Sequence, residues 1–201
     1  MALLFAKNNS LSAITALPAA VSGGGLNLIS SQTASSSSTI SFTSGIDSTY
    51  KEYIFKFYDI HPATDNVDFQ VNFSSDSGSN YNVTKTTTFF AAYQNESGSA
   101  TALTYADAND LAQSTGFQML NDGVGNGNDE SCVGTLHLFD PSNTTFVKHF
   151  MATSHRHYYL DYAIVDYMAG YCNTTSAIDA VQFKFESGNI DSGTIKLYGV
   201  S

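Results

Sequence analysis

His155-Arg156-His157 is the sharpest local feature of the chain. Two histidines separated by one residue on a strand project their imidazoles to the same side. Such a pair can ligate a metal, or can simply hydrogen-bond at a polar strand end. Two imidazoles leave a transition-metal site incomplete; a threefold axis through three copies would supply six nitrogens. A dense set of tyrosines follows at Tyr158, Tyr159, Tyr162, Tyr167 and Tyr171. Tyrosine rings bury area at low entropic cost and keep a polar tip, which suits subunit interfaces and sugar-stacking surfaces alike. These five are the candidate contact surface, and His155 and His157 the candidate metal ligands.

Other chemistries find less support. No G-x-S-x-G elbow marks a serine nucleophile. Carboxylate pairs for glycoside cleavage could be drawn from Asp47, Glu52, Asp59, Asp107, Asp110, Asp161, Asp166 and Glu186, but no motif selects two of them. The run Asn121 to Glu130 is oxygen-rich and could wrap calcium, although it lacks the spacing of an EF-hand loop, and a plain loop is the favoured reading. No catalytic residue and no cofactor is expected, and the chain is read as non-enzymatic. Cys132 and Cys172 make one disulfide at most and sit in no zinc-ligand array; two free buried thiols are the simpler reading.

The elements that must position these residues are nearly all strands. Period-two alternation recurs, as in Tyr53, Phe55 and Phe57 against Glu52, Ile54, Lys56 and Tyr58, a strand with two partly buried faces, or Val67, Phe69, Val71 and Phe73 against Asp68, Gln70 and Asn72. Strands are expected near 39–43, 50–59, 67–73, 81–93, 132–139, 145–151, 157–167, 180–186 and 193–198, with a short helix near 105–111. His61-Pro62 should end the second of these. The expected fold is all-β, a two-sheet β-sandwich of jelly-roll type with at most one or two short helices. Residues 1–38, small and rich in Ser and Gly, read as an extended N-terminal arm ahead of a sandwich domain at 39–201.

The 201 residues carry 18 acidic and 8 basic side chains, a formal charge of -10, and only 13% charged residues in all. A surface of that sign repels phosphate backbones, so neither nucleic acid nor anionic lipid is an expected partner. The longest apolar stretches fall far short of the roughly 20 residues that span a bilayer, so no membrane insertion is expected.

Two stretches, EYIFKFYDIHPATDNVDFQVNFSSDSGSNYNVTKTTTFF from Glu52 to Phe90 and AGYCNTTSAIDAVQFKFESGNIDSGTIKLYGVS from Ala169 to Ser201, resemble virion structural proteins of marine tailed bacteriophages of the cyanophage kind. The closing SGTIKLYGVS is similar to the last strand of many of their tail-fibre-type and appendage proteins, and DLAQSTGFQ, Asp110 to Gln118, adds a middle match. The resemblance brings no catalytic motif. It implies a β-sandwich module on a virus particle, as a tail fibre, appendage or capsid decoration, assembled in the host cytoplasm. Its partners would be other virion proteins and further copies of itself, a trimer being favoured. A host-glycan-binding adhesin is the alternative, and a polysaccharide depolymerase a more distant one.

Overall fold

A computed structural model describes residues 25–201 of the chain. Twelve strands account for the architecture: β1 (Leu26–Thr33), β2 (Ile40–Phe42), β3 (Glu52–Pro62), β4 (Val67–Ser74), β5 (Lys85–Asn95), β6 (Thr101–Tyr105), β7 (Gln118–Val124), β8 (Cys132–Phe139), β9 (Lys148–Tyr158), β10 (Tyr162–Cys172), β11 (Ala180–Phe185) and β12 (Ile190–Val200). The expected helix is a single 3-10 turn, Asp107–Asn109, with no buried residue. The fold is thus nearly all-β, and every strand pair is antiparallel.

Eight strands pair in the order β1-β12-β3-β8-β9-β10-β5-β6, and four in the order β7-β4-β11-β2. One bridge, Val124 to Tyr158, joins β7 to β9. At the far side β1 and β2 follow each other in the chain, and the Gln32 side-chain amide donates to the Ser41 carbonyl at 2.6 Å. The result is a nearly closed antiparallel sheet. This differs from the expected pair of separate sheets, because the pairing carries on through that bridge.

Alternation builds the interior. Phe55 and Phe57 of β3 meet Phe42 of β2, Phe69 of β4 and Phe183 of β11, with ring centroids 5.3 to 6.3 Å apart. Phe73 and Phe150 add a pair at 4.8 Å. Such edge and offset contacts add about 0.5–1.5 kcal/mol each beyond area burial. These rings tie the four-strand run to the middle of the eight-strand run.

Three strands were not expected. β6 is short and largely exposed, and β1 is a Ser-containing edge strand. β7 runs through Asn121-Asp122-Gly123, a sequence that reads as a turn; Gly123 (φ 62) makes it a bulge in the β4 pairing instead. The oxygen-rich run therefore begins inside a strand, and only residues 125–131 form the loop. β3 does end at His61-Pro62, but it runs past residue 59: Asp59 (φ 49) bulges and the strand continues to Pro62. The expected strands at 145–151 and 157–167 are displaced, being the two arms of one hairpin, β9 and β10. Of the expected arm, residues 26–33 form β1, hydrogen-bonded to β12, and residues 1–24 lie outside the described residues.

Cys132 and Cys172 are free and buried. They pair with Arg156 and Lys148 of β9, eight residues apart along that strand. At ~3.4 Å per residue that separation is roughly 27 Å, several times a disulfide's reach. Cys172 lies in a cross-strand row between Lys85 and Lys148, both buried. The Lys85 ammonium donates to the Val83 and Gly116 carbonyls, at 2.9 and 2.6 Å.

Burial pulls the Lys85 pKa from 10.5 down to about 8. Between those values the unfolded chain binds the extra proton, so stability rises with pH across that window. The urea midpoint of the wild type should therefore increase from pH 8 to pH 10. Lys85→Met should reduce the rise without abolishing it, because burial also lowers Lys148. An equal rise in the variant would refute this account.

Candidate functional surfaces

The β9–β10 hairpin carries both candidate metal ligands and all five candidate contact tyrosines, and its alternation separates them. Even-numbered positions from Lys148 to Arg156, and Ile164 to Met168 with Cys172, point inward; their odd-numbered neighbours point outward. His155 and His157 do share one side, as expected. Partial desolvation, then the charges of Arg156 and His157, holds His155 below its ordinary pKa. His157 alone meets further ligand-type groups, Glu130 and Asp161.

The five tyrosines do not form one surface. Tyr158 and Tyr162 lie on the inward register at the mouth of the hairpin, edge to face at 5.9 Å, with Tyr159 4.5 Å from Tyr158 and Tyr93 5.7 Å from Tyr162. Tyr167 faces outward and stacks on Phe90 at 5.0 Å. Tyr171, also outward, lies 6.3 Å from His149.

Tyr93, Tyr158 and Tyr162 line a cleft of about 260 Å³, shared with Asp122, Thr104 and Arg156. Arg156, the residue between the two histidines, is 4% exposed and pairs with Asp166, 1% exposed. Asn121 donates to Asp166 at 2.8 Å and to the Ser154 hydroxyl at 2.9 Å. Arg156 Nε, Asp166 Oδ1 and Asn121 Oδ1 are buried without a hydrogen-bond partner. Burial outweighs the pull of Arg156 and raises the Asp166 carboxyl to about 6. Burial likewise pushes the Tyr158 phenol up to about 12, helped by Tyr159. The cleft thus offers ring faces, hydroxyls and the Asp122 carboxylate over the edge of Arg156, with the Arg156–Asp166 pair buried behind it, the inventory of a polar-ligand pocket.

The outer face of the same strands is of another character. β8 presents Val133, Thr135, His137 and Phe139; β9 presents His149, Met151, Thr153, His155 and His157. β10 presents Ala163, Val165, Tyr167, Ala169 and Tyr171, and β5 presents Thr86, Thr88, Phe90, Ala92 and Gln94. Pairing with β5 puts Thr101, Leu103 and Tyr105 of β6 on that side too. None of these residues is Asp, Glu, Lys or Arg. A groove of about 360 Å³ crosses the face, lined by Phe90, Phe139, Met151 and Tyr167 among others.

No known family model, curated protein or solved structure matches the chain. Sequence reasoning named Arg156 only as the residue between the histidines, Asp166 only among eight carboxylates, and Asn121 and Glu130 only as the ends of an oxygen-rich run; it did not bring Arg156, Asp166 and Asn121 together, nor Glu130 to His157. For Arg156 and Asp166 a signal existed: each is a charge on the inward register of a strand, a pattern that demands a partner.

Removing Arg156 strands a buried carboxylate, which typically costs 3–5 kcal/mol or so. Arg156→Met should lose about that much stability at pH 7.5. The loss should shrink at pH 5, because a carboxyl with a raised folded pKa contributes stability at low pH that disappears as pH rises. Urea titrations at the two pH values check this, and a cost independent of pH would contradict it.

Proposed function

We propose that the chain is a non-enzymatic structural protein of a bacteriophage particle, a tail fibre, appendage or capsid decoration of jelly-roll type. On this reading it assembles in the host cytoplasm with other virion proteins and as a symmetric homo-oligomer, a trimer being favoured. The observation that carries the reading is the uncharged outer face of β8, β9, β10, β5 and β6. Two copies each carrying -10 repel, and a face whose outward strand residues are uncharged, with carboxylates only at its margins beside His137, His157 and Tyr105, is where they meet at least electrostatic cost. Five strands spaced ~4.8 Å apart and up to 11 residues long offer at most roughly 800 Å². A standard interface buries about 800 Å² per partner. The face is therefore large enough for a standard protein contact, and its lack of charge fits a second copy. The jelly-roll description is supported by the nesting of β3 with β12, β4 with β11, and β5 with β10 around the adjacent pair β8 and β9. The resemblance to marine phage appendage proteins supports the setting, and residues 1–38 are assigned to attachment.

The test is light scattering coupled to size exclusion on the full chain. Wild type should run as an oligomer, and Phe90→Asp with Tyr167→Asp should run as a folded monomer. A monomeric wild type would remove the contact.

A second reading, a host-glycan-binding adhesin, is favoured by the Tyr93, Tyr158 and Tyr162 cleft with Arg156 and Asp122. Sugar rings stack their C–H faces on aromatic rings while charged pairs bind hydroxyls bidentately. On a glycan array the chain should then bind a host envelope saccharide, and Tyr158→Ala should abolish the signal. Absence of binding to any envelope fraction would eliminate this reading.

A further inference from the structure

Three turns converge at one end of the eight-strand run: the loop 125–131 that enters β8, the turn 159–161 of the β9–β10 hairpin, and the turn that leaves β5. They bring Glu130, Asp161 and Glu96 around His157, the last outward residue of β9. One ligand atom each from Glu130, His157 and Asp161 lies within 4.8 Å of the other two. His157 Nδ1 is 3.4 Å from Glu130 Oε1, and Nε2 is 3.5 Å from Glu96 Oε1. Nδ1 is buried and makes no hydrogen bond.

The spacing discriminates between two arrangements. A charged imidazole hydrogen-bonded to a carboxylate closes to about 2.7–2.9 Å. Two adjacent ligands of a tetrahedral ion, each ~2.0–2.1 Å from it, stand roughly 3.3 Å apart. The Nδ1 to Oε1 separation falls at the second value. We propose that His157, Glu130 and Asp161 form a binding site for a divalent transition-metal cation, Zn²⁺.

The groups around the site hold the ligands in place. Glu130 Oε2 accepts from the Gly127 N–H, which leaves Oε1 turned to His157. Gly125 is required for this: a Cβ there would meet the Glu130 carboxylate at 2.2 Å. Asp161 sits in left-handed backbone (φ 61) at the hairpin turn. Its N–H donates to the Tyr158 carbonyl at 2.9 Å, and its own carbonyl accepts from the Glu96 N–H at 3.0 Å. Such outer hydrogen bonds orient ligands and are a recurring part of metal sites. Two carboxylates and one neutral imidazole carry a charge that a dication cancels, and the mixed nitrogen and oxygen set suits Zn²⁺ better than Ca²⁺. Water takes the fourth position, while Glu96 stands on the far side of the ring, beside Nε2. Bound there, the ion ties loop 125–131 to the hairpin that bears the tyrosine cleft. His155 has no part in the site, so no threefold axis is needed to complete it.

The test uses the full chain after chelator treatment, titrated with ZnCl₂ by calorimetry, with thermal unfolding on the same samples. Wild type should bind one equivalent and shift its melting temperature upward. Glu130→Gln and Asp161→Asn should each weaken binding about tenfold or more, with unchanged circular dichroism, and His155→Ala should bind as wild type. Ca²⁺ should bind at least tenfold more weakly than Zn²⁺. Absence of saturable Zn²⁺ binding, retention of full affinity in Glu130→Gln and Asp161→Asn, loss in His155→Ala, or preference for Ca²⁺ would each overturn the assignment.

Discussion

The phenylalanine layer that joins β3 to β2, β4 and β11 is the contact on which the remaining structure rests. Only one bridge links the two strand runs at the β7 edge, so backbone pairing alone would leave them free to part. Phe42, Phe55, Phe57, Phe69 and Phe183 hold them together, each 2% exposed or less. Burying one such ring is worth about 1.5–3 kcal/mol. With the layer fixed, β3 fixes β8, β8 fixes β9, and β9 fixes β10 and β5 in turn. The inner cleft and the outer face are two sides of that last group of strands.

The same group shows how one periodicity separates two kinds of chemistry. Along β9 the sequence passes from Ser154 to Tyr158 through residues that alternate between a buried polar network and an uncharged exterior. Arg156 would be costly on the inner side without Asp166, and Asp166 without Arg156 and Asn121. Together they fix the register of β9 against β10, since a slip of β9 by one residue would turn Arg156 outward and both histidines inward and leave Asp166 buried without its partner. The polar pair acts as a register pin, while the apolar layer supplies the cohesion.

Much of this could be read from the sequence, and the failures have physical causes. β4 and β11 were legible because one face is apolar and the other largely polar, and β3 and β8 because β-branched, aromatic and leucine residues fill a run bounded by turn residues. β1 and β6 are edge strands whose side chains stay largely exposed, so no burial imprints a pattern on them. β7 was hidden by Asn121-Asp122-Gly123, where a bulge uses the residues a turn would use. The β9–β10 hairpin turns at Tyr159-Leu160-Asp161, residues carrying neither Gly nor Pro, so its position was displaced. Among the candidate residues, the side shared by His155 and His157 followed from spacing alone. The approach of Glu130 to His157 did not, because it depends on a loop more than 25 residues upstream.

The two buried thiols have a further consequence. Cys132 and Cys172 stand at opposite ends of β9, each sealed in the interior, and burial raises the pKa of both. A thiol reacts as its thiolate and only when reached by reagent. Each is therefore inert until its own end of the interior opens, and the rate at which it is alkylated times that opening. The chain carries two internal clocks, one beneath the tyrosine end and one beneath the lysine row, that tell fraying of one end from collapse of the whole.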